Sequence, residues 1–459
     1  MELAELNALR QAASIKLDEQ AARAVFFQQY YDNEAGIIAL MDTKERETFR
    51  AFLAESNANW CEVIANAVAE RLTVTGFRFG NTADTAAAWT IWQASSMDAD
   101  AELVQTDAII TGQSLVLVQA DEDNPTGVTI SVESPVQACV VYVPGNRRKR
   151  LAGYKRYREP GETSWTEWLI TADEVATWPP RADRQRPVIE PNPTGVIGLI
   201  EIVPQPRTLG PGRSELVSAI SFQDRINTTI FNRCVAGDFG AYRQVWATGI
   251  KLAREVIKTE DGGEVTKVQA PFQMGVNRLL TNENAEGKFG SLPPSDLAGY
   301  IASTDQDVTM LAAATQTPMH YLTGQLVNLS ADAIRAAEAG LVAKVRRRSL
   351  HIGEAWEETI RTAFTLTGRP GATDVQAETQ WADFETRSIG QLVDSLVKMR
   401  TLGVPVEALW ERYGATQQEI ERWRGLAAAE LETKMRELAA AQAATRAGNV
   451  PVPEGGQPA

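Results

Sequence analysis

The chain has 459 residues, of which 44% are hydrophobic and 23% charged, a composition that allows about three folded domains with a sizeable core. Its formal net charge of −14 disfavours tight, sequence-reading DNA binding, because DNA-binding proteins usually present a basic face. The acidity does not exclude a protein past which DNA must slide, since carboxylates repel phosphates. No apolar run reaches the ~20 residues of a membrane span, and the acidic start lacks the features of a secretory signal.

The N-terminal part of the chain contains both the helical and the strand pattern of hydrophobic residues. Apolar residues repeating every three to four positions predict helices over 1–30, 57–72 and 84–110, with Leu103 on the apolar side of the third. Residues 73–79 alternate like a strand. Further short strands are predicted at 114–119, 128–132, 137–142, 151–157 and 165–170. We therefore expect an α+β arrangement in this part of the chain.

Residues 179–211 hold proline at positions 179, 180, 187, 191, 193, 204, 206 and 211. This density predicts an extended connection without regular structure. A helix over 213–236 follows, with glycines at 237 and 240 ending it. Short strands within 241–290, with a turn at 261–263, predict a small β-rich insert before a second helix at 295–314.

Residues 315–330 contain no Lys, Arg, Asp or Glu, which is unusual for an exposed loop. Ser330 is a good N-cap for one very long helix, roughly 50 Å at about 1.5 Å per residue. Its predicted apolar face consists of Ile334, Ala337, Leu341, Val345, Ile352, Trp356, Ile360 and Phe364. Beyond a turn at 368–371, helices are predicted at 386–402, 405–413 and 416–446, followed by a disordered tail.

The sequence offers little for catalysis or metal binding. There is no phosphate-binding GxxxxGK[ST] loop, and neither His320 nor His351 has acidic or cysteine partners at metal-ligand spacing. The cysteines Cys61, Cys139 and Cys234 stand far apart, which predicts buried thiols rather than a zinc knuckle or disulfide framework. We therefore predict no enzyme activity, no catalytic residues, no metal and no cofactor.

Two basic runs stand out, 147–150 and the trio Arg346, Arg347 and Arg348. One interpretation is contact with phosphates. The other, favoured because 59 acidic residues outnumber 45 basic ones, is pairing with carboxylates of the same chain or of a neighbouring copy.

Several segments, taken in their order along the chain, resemble tailed-bacteriophage portal proteins of long-tailed phages that infect high-GC Gram-positive hosts. They are 59–61 (NWC), 68–72 (VAERL), 76–79 (GFRF), 91–94 (IWQA), 107–108 (DA), 212–216 (GRSEL), 316–322 (QTPMHYL) and 330–335 (SADAIR). The resemblance covers most of residues 20–370.

The resemblance implies a helix-rich α+β subunit with wing, stem, clip and crown regions. Residues 1–212, including the Pro-rich connection, and 331–385 would form the wing, and 213–240 with 291–314 the stem. Residues 241–290 would be the clip, 315–330 the tunnel loop, and 386–459 the crown and tail. Predicted DNA-facing residues of the tunnel loop are Gln316, Thr317, Met319, His320, Tyr321, Gln325 and Asn328, and predicted docking residues of the clip are Arg243, Trp246, Lys251 and Lys267.

The resemblance also implies a ring of usually twelve copies at one capsid vertex, a conduit for packaging and ejecting DNA. Its partners would be double-stranded DNA passing non-specifically through the channel, the terminase large subunit, the head–tail adaptor, and the major capsid and scaffolding proteins. The expected location is the virion, with assembly in the host cytoplasm and no membrane. One alternative is another capsid or connector assembly protein without a DNA channel. The other is a soluble enzyme with an unfamiliar site, which the scarcity of histidine disfavours.

Overall fold

The computed structural model describes residues 1–34, 55–158, 160–162, 164–180, 186–241, 245–248, 254–258, 264–268, 286–291, 296–324, 330–385 and 389–448. The chain divides into two compact units. The first consists of Met1–Ala35, Asn59–Gln223 and Thr309–Ala459, and the second of Gly36–Ala58 and Asp224–Val308. The prediction of a helix-rich α+β fold is confirmed.

The first unit begins with four helices and a strand. They are α1 (Leu3–Tyr31), α2 (Trp60–Ala69), β1 (Val74–Arg78), α3 (Thr82–Ala94) and α4 (Met97–Thr111). Asn59 and Asn81 cap α2 and α3 by accepting backbone hydrogen bonds. The single helix predicted over 84–110 is wrong, because Ser96 takes a left-handed conformation (φ 57°) between α3 and α4. Leu103 is 59% exposed rather than on a buried face.

Eight strands follow and form two antiparallel sheets. They are β2 (Ser114–Ala120), β3 (Val128–Glu133), β4 (Ala138–Val143), β5 (Asn146–Tyr157), β6 (Thr166–Ile170), β7 (Glu174–Trp178), β8 (Val188–Pro191) and β9 (Leu199–Ile202). The orders are β3-β2-β9 and β4-β5-β6-β7-β8. The expectation that the Pro-rich connection lacks regular structure is wrong at β8 and β9. Both are edge strands, where Pro191 is tolerated because hydrogen bonds are needed on one side only.

One core cluster of the first unit lies between α1 and the five-stranded sheet. Leu6, Ala13 and Leu17 of α1 are buried against Tyr154 and Trp178. A second cluster joins the two sheets through buried side chains of β2, β4 and β9. Each fully buried leucine or valine of these clusters contributes about 1.5–3 kcal/mol, so these contacts fix the two sheets relative to each other.

The second unit contains the β-rich insert. A 3₁₀ turn at Glu215–Ser218 precedes α5 (Ile220–Ala241), so the helix predicted from 213 begins later. The insert has β10 (Val245–Thr248) paired with β13 (Lys288–Ser291), and β11 (Arg254–Lys258) paired with β12 (Glu264–Val268). Then comes α6 (Ala298–Thr315). Arg225 and Asp307 form an ion pair of 2.7 Å between α5 and α6.

The remaining elements belong to the first unit. They are α7 (Met319–Thr323), α8 (Ala331–Thr367), β14 (Glu378–Trp381), α9 (Ile389–Thr401), α10 (Val406–Tyr413) and α11 (Gln417–Gly448). The long helix is confirmed as the 37 residues of α8, capped by Ser330. Its apolar face is buried from Leu341 to Phe364, but near its start Ala337 is exposed and Glu338 is buried instead. The pairing of β14 with β1 had no counterpart in the sequence analysis.

Candidate functional site

Residues 315–324, here called the anchored segment, are more ordered than the predicted loop. After α6 ends at Thr315, Gln316 takes a left-handed conformation (φ 54°), and Pro318 precedes the short helix α7. The Thr317 side chain is buried and accepts a hydrogen bond of 3.0 Å from the Thr315 hydroxyl. The loop prediction is therefore wrong for Met319–Thr323. Thr317 points into the protein, whereas Gln316 and Met319 are exposed.

Tyr321 and His320 are held by charged side chains of α8 and of the turn that follows α2. Arg71 donates a hydrogen bond of 2.6 Å to the Tyr321 hydroxyl, which donates one of 2.9 Å to Glu338. Nε2 of His320 lies 3.8 Å from Glu338, and only 9% of the His320 side chain is exposed. Burial raises the pKa of Tyr321, so its hydroxyl keeps the proton that it donates. Both predicted DNA-facing side chains thus lie against Glu338 of this chain.

Both ends of the anchored segment are also tied to helices. The Lys344 ammonium donates a hydrogen bond of 2.7 Å to the Thr315 carbonyl at the end of α6. The indole of Trp60 on α2 donates one of 3.0 Å to the Leu322 carbonyl, and the Leu322 side chain is buried. A cation at a helix C-terminus also interacts favourably with the helix dipole. The segment is fixed at its start by α8 and at its end by α2.

Lys344 belongs to a buried ionic cluster, defined as Glu215, Lys344 and Arg348. Lys344 lies 3.7 Å from the Glu215 carboxylate, and Nε of Arg348 donates to the same carboxylate. Gln205 adds a hydrogen bond of 2.9 Å. Burial acts to raise the pKa of Glu215, but Lys344 and Arg348 outweigh it and lower that pKa. The cluster links the 3₁₀ turn before α5 to the middle of α8.

The structure separates the three arginines of the basic run on α8. Arg348 is buried in the ionic cluster, so its predicted contact with phosphate or another subunit is wrong. Arg346 pairs with Glu385 at 2.9 Å and Arg347 is exposed. Pairing with carboxylates of the same chain, the interpretation favoured from the sequence, is confirmed for Arg346 and Arg348. Phosphate or subunit contact remains a prediction for Arg346 and Arg347.

The predicted docking residues of the insert are only partly described. The Trp246 side chain is 44% exposed on β10, and its ring occupies the space that a Cβ at Gly290 would need. Lys267 lies in β12. Arg243 and Lys251, together with Gln325 and Asn328 of the predicted tunnel loop, lie outside the described residues. A docking role for the insert therefore remains a prediction.

Four charged residues that organise the site, Arg71, Glu215, Glu338 and Lys344, were missed as functional positions in the sequence analysis. In the described part of the chain, no group of three or more His, Cys, Asp or Glu side chains could hold a metal ion. Within the same residues, no helix is long and apolar enough to cross a membrane. The site is thus a structural junction of buried charges and hydrogen bonds, built around the end of α6.

Comparison with solved structures finds distant similarity. One similar chain belongs to the structure titled "Neck of empty GTA particle computed with C6 symmetry". It is 13% identical with a TM-score of 0.44, and the match covers 82% of this chain and 94% of that one. This similarity is too low to support a statement about the present chain.

Comparison with sequences is more decisive. The portal protein of Mycobacterium phage L5 is 30% identical over 419 residues, which cover 86% of this chain and 83% of that protein. The portal protein of Mycobacterium phage D29 is 29% identical over 390 residues, covering 80% and 79%. Residues 15–432 match the family described as "Phage portal protein, SPP1 Gp6-like". The chain therefore belongs to this phage portal protein family.

Proposed function

We propose that copies of this chain form a ring of twelve at one capsid vertex, and that DNA passes through its axial channel during packaging and ejection. The family match over residues 15–432 carries this proposal. The ring would dock the terminase large subunit and later the head–tail adaptor, and would contact the major capsid and scaffolding proteins. It would be built in the host cytoplasm and remain in the virion. The chain would act as a structural conduit, with the packaging ATPase supplied by the terminase.

The order of elements supports this proposal. Two helices, α5 and α6, flank a β-rich insert, and the anchored segment and the 37-residue α8 follow. The exposed face of α11 offers a surface for other copies. Leu431, Met435 and Leu438 are 61–62% exposed there and lie on one side of the helix. Large exposed apolar side chains at such spacing favour association, as a ring of identical subunits requires.

We assign the DNA-facing surface of the channel to Gln316 and Met319 and to the stretch 325–329. Gln316 and Met319 are exposed and uncharged, and Gln325 and Asn328 continue the same uncharged stretch. Neutral side chains form no ion pairs with phosphates, so they would let DNA slide. Thr317, His320 and Tyr321 are given an anchoring role, because their side chains contact this chain itself.

Electron-microscopic class averages of the purified full chain, combined with its mass in solution, test the ring. Twelve copies of 50.2 kDa amount to about 602 kDa. A ring whose central hole admits a DNA duplex is the expected result. An assembly without an axial opening would favour the alternative, a connector protein without a channel. A monomer that also stays out of capsids when co-expressed with coat and scaffold would contradict the proposal.

Combining Gln325→Lys with Asn328→Lys tests the tunnel assignment. Folding and ring formation should persist, because the contacts of the anchored segment are untouched, while DNA packaging should fall, because the added ammonium groups would pair with passing phosphates. Gln325→Ser combined with Asn328→Ser is the control, since it keeps the stretch uncharged and should leave packaging near normal. Normal packaging by the lysine variant would contradict the tunnel role.

A further inference from the structure

A cleft of about 670 Å³ in the first unit concentrates positive charge. It lies between α1, the start of β5, and the Pro-rich segment after β9. The cationic side chains that line this basic cleft are Lys16, Arg23, Arg147, Arg148 and Arg207, and its carboxylates are Glu19 and Glu201. The excess of cations is unusual in a chain whose net charge is −14.

One of these cations is already neutralised. Lys16 lies 3.7 Å from Glu201, which also accepts a hydrogen bond of 3.0 Å from the Tyr142 hydroxyl. The four arginines differ, because they form no ion pair with any carboxylate of the described residues. Nearby arginines outside the cleft are paired, as in Arg150 with Glu358 at 3.0 Å. The cleft therefore holds guanidinium groups that pair with no carboxylate in the part of the chain that the structure describes.

Backbone carbonyls around the cleft accept hydrogen bonds from two of these arginines. Gly112 has φ 91°, and a Cβ at Gly212 would overlap the Gly112 carbonyl, so the two glycines pack backbone to backbone. The Gly212 carbonyl accepts a hydrogen bond of 3.0 Å from Arg23. Arg147 donates one of 3.3 Å to the carbonyl of Arg207, which ties the start of β5 to the Pro-rich segment. These two hydrogen bonds position the side chains of Arg23 and Arg147 in the cleft.

Placing these like charges together has a cost. Burial and the neighbouring Arg207 guanidinium both lower the pKa of Arg23. An anion in the cleft would relieve this repulsion. The planar guanidinium fork pairs with phosphate through two parallel hydrogen bonds, which makes phosphate the anion that such a group of arginines fits best.

We propose that the basic cleft binds phosphate groups, and that their source is the backbone of double-stranded DNA. The net negative charge of the chain disfavours close approach of DNA, so the cleft would favour contact at its own arginines. The choice of DNA over a small free phosphate rests on the proposed portal function. Phosphate binding by the cleft does not rest on that function, because it is inferred from arginines that pair with no carboxylate of the described residues.

The test is a fluorescence anisotropy titration of a short labelled duplex with the full chain at several salt concentrations. Arg148→Gln combined with Arg207→Gln removes two exposed cations of the cleft. Binding should weaken, and the slope of log affinity against log salt should fall by about 2, because each substitution leaves one DNA phosphate without a neutralising cation. The control combines Lys149→Gln with Arg422→Gln, which removes the same charge at exposed positions outside the cleft and should leave the slope nearly unchanged.

Binding of inorganic phosphate, measured by isothermal titration calorimetry, separates the two sources. Loss of phosphate binding in the cleft variant with unchanged DNA binding would keep the phosphate site and assign it to a small free phosphate. Equal weakening of DNA binding in both double variants would overturn the proposal, because net charge alone would explain it. Unchanged binding of both ligands by the cleft variant would also overturn it. Ring formation is measured separately, so failure of the cleft is distinguishable from failure of the portal function.

Discussion

Two long helices of this chain carry many charges but use them differently. On α8, the side chains of Glu338, Lys344 and Arg348 are each at most 8% exposed and contact partners in other elements. On α11, the pair formed by Arg436 and Glu432 is 78% and 66% exposed and spans one turn of the same helix. The residue types are alike, so the two helices differ in how far their charged side chains are removed from solvent.

The comparison shows why the charges of α8 determine structure whereas those of α11 do not. A buried ion pair is no more stabilising than a well-packed apolar contact, but removing one partner leaves the other charge buried and uncompensated. The buried ionic cluster therefore permits one arrangement of the 3₁₀ turn, the end of α6 and α8. The exposed pairs of α11 are screened by water and salt and permit many arrangements.

The largest effect is expected for Glu215→Ala. It would leave Lys344 and Arg348 buried without their shared carboxylate, which should lower the free energy of unfolding by about 3–5 kcal/mol. Urea denaturation followed by circular dichroism measures this loss. Glu215→Gln, which keeps an acceptor for hydrogen bonds but no charge, should lose less. A loss below about 1 kcal/mol for the alanine variant would show that the cluster is not a buried ionic contact.

The lowered pKa of Glu215 predicts that the stability of the folded chain depends on pH. Because the pKa of Glu215 is lower in the folded chain than its ordinary value of 4.5, the unfolded chain binds the proton first as pH falls. The stabilisation from Glu215 should therefore be complete above about pH 4.5 and be lost as pH falls from there through the folded pKa. Urea midpoints measured over this range for the wild type and for Glu215→Gln should converge at low pH. Parallel curves would contradict the assignment.

A smaller effect is expected for Tyr321→Phe. The hydroxyl links Arg71 to Glu338, and its removal should cost about 1–2 kcal/mol of unfolding free energy, limited because Arg71 and Glu338 can still approach each other. Tyr413→Phe is a matched control, since this half-exposed tyrosine contacts Trp423 through its ring and should change stability by less than about 0.5 kcal/mol. Equal effects in the two variants would mean that the hydroxyl of Tyr321 does not anchor the segment.

The sequence predicted most helices because their apolar period is strong, as in α8 from Leu341 to Phe364. It did not predict which charged residues are buried. Glu338 and Arg348 lie on the apolar face of α8, at the spacing of its buried residues. A charged residue at such a position indicates a buried partner of opposite charge. The identity of that partner depends on tertiary structure, because Glu215 is far from Arg348 in the chain.

The sequence also did not predict which short strands pair when they are far apart in the chain. The strand β14 has four residues and pairs with β1 so that Val74 faces Trp381. A segment this short has no usable alternation, and only the packing of the intervening elements brings it to β1. The anchored segment shows the same limit, because its lack of charge suggested an open loop while its backbone is held by Trp60 and Lys344.

The smallest effect is expected for Arg436→Gln on α11. The ion pair with Glu432 spans i to i+4 on an exposed face, where such pairs contribute about 0.3–0.5 kcal/mol, and glutamine has a helix propensity close to that of arginine. Urea denaturation should therefore detect a loss below about 0.5 kcal/mol, which disappears in high salt because exposed charges are screened. Glu432→Gln should behave in the same way. A loss as large as that of Glu215→Ala would mean that this part of α11 is buried against another molecule in solution, and the contrast between the two helices would then belong to the isolated chain alone.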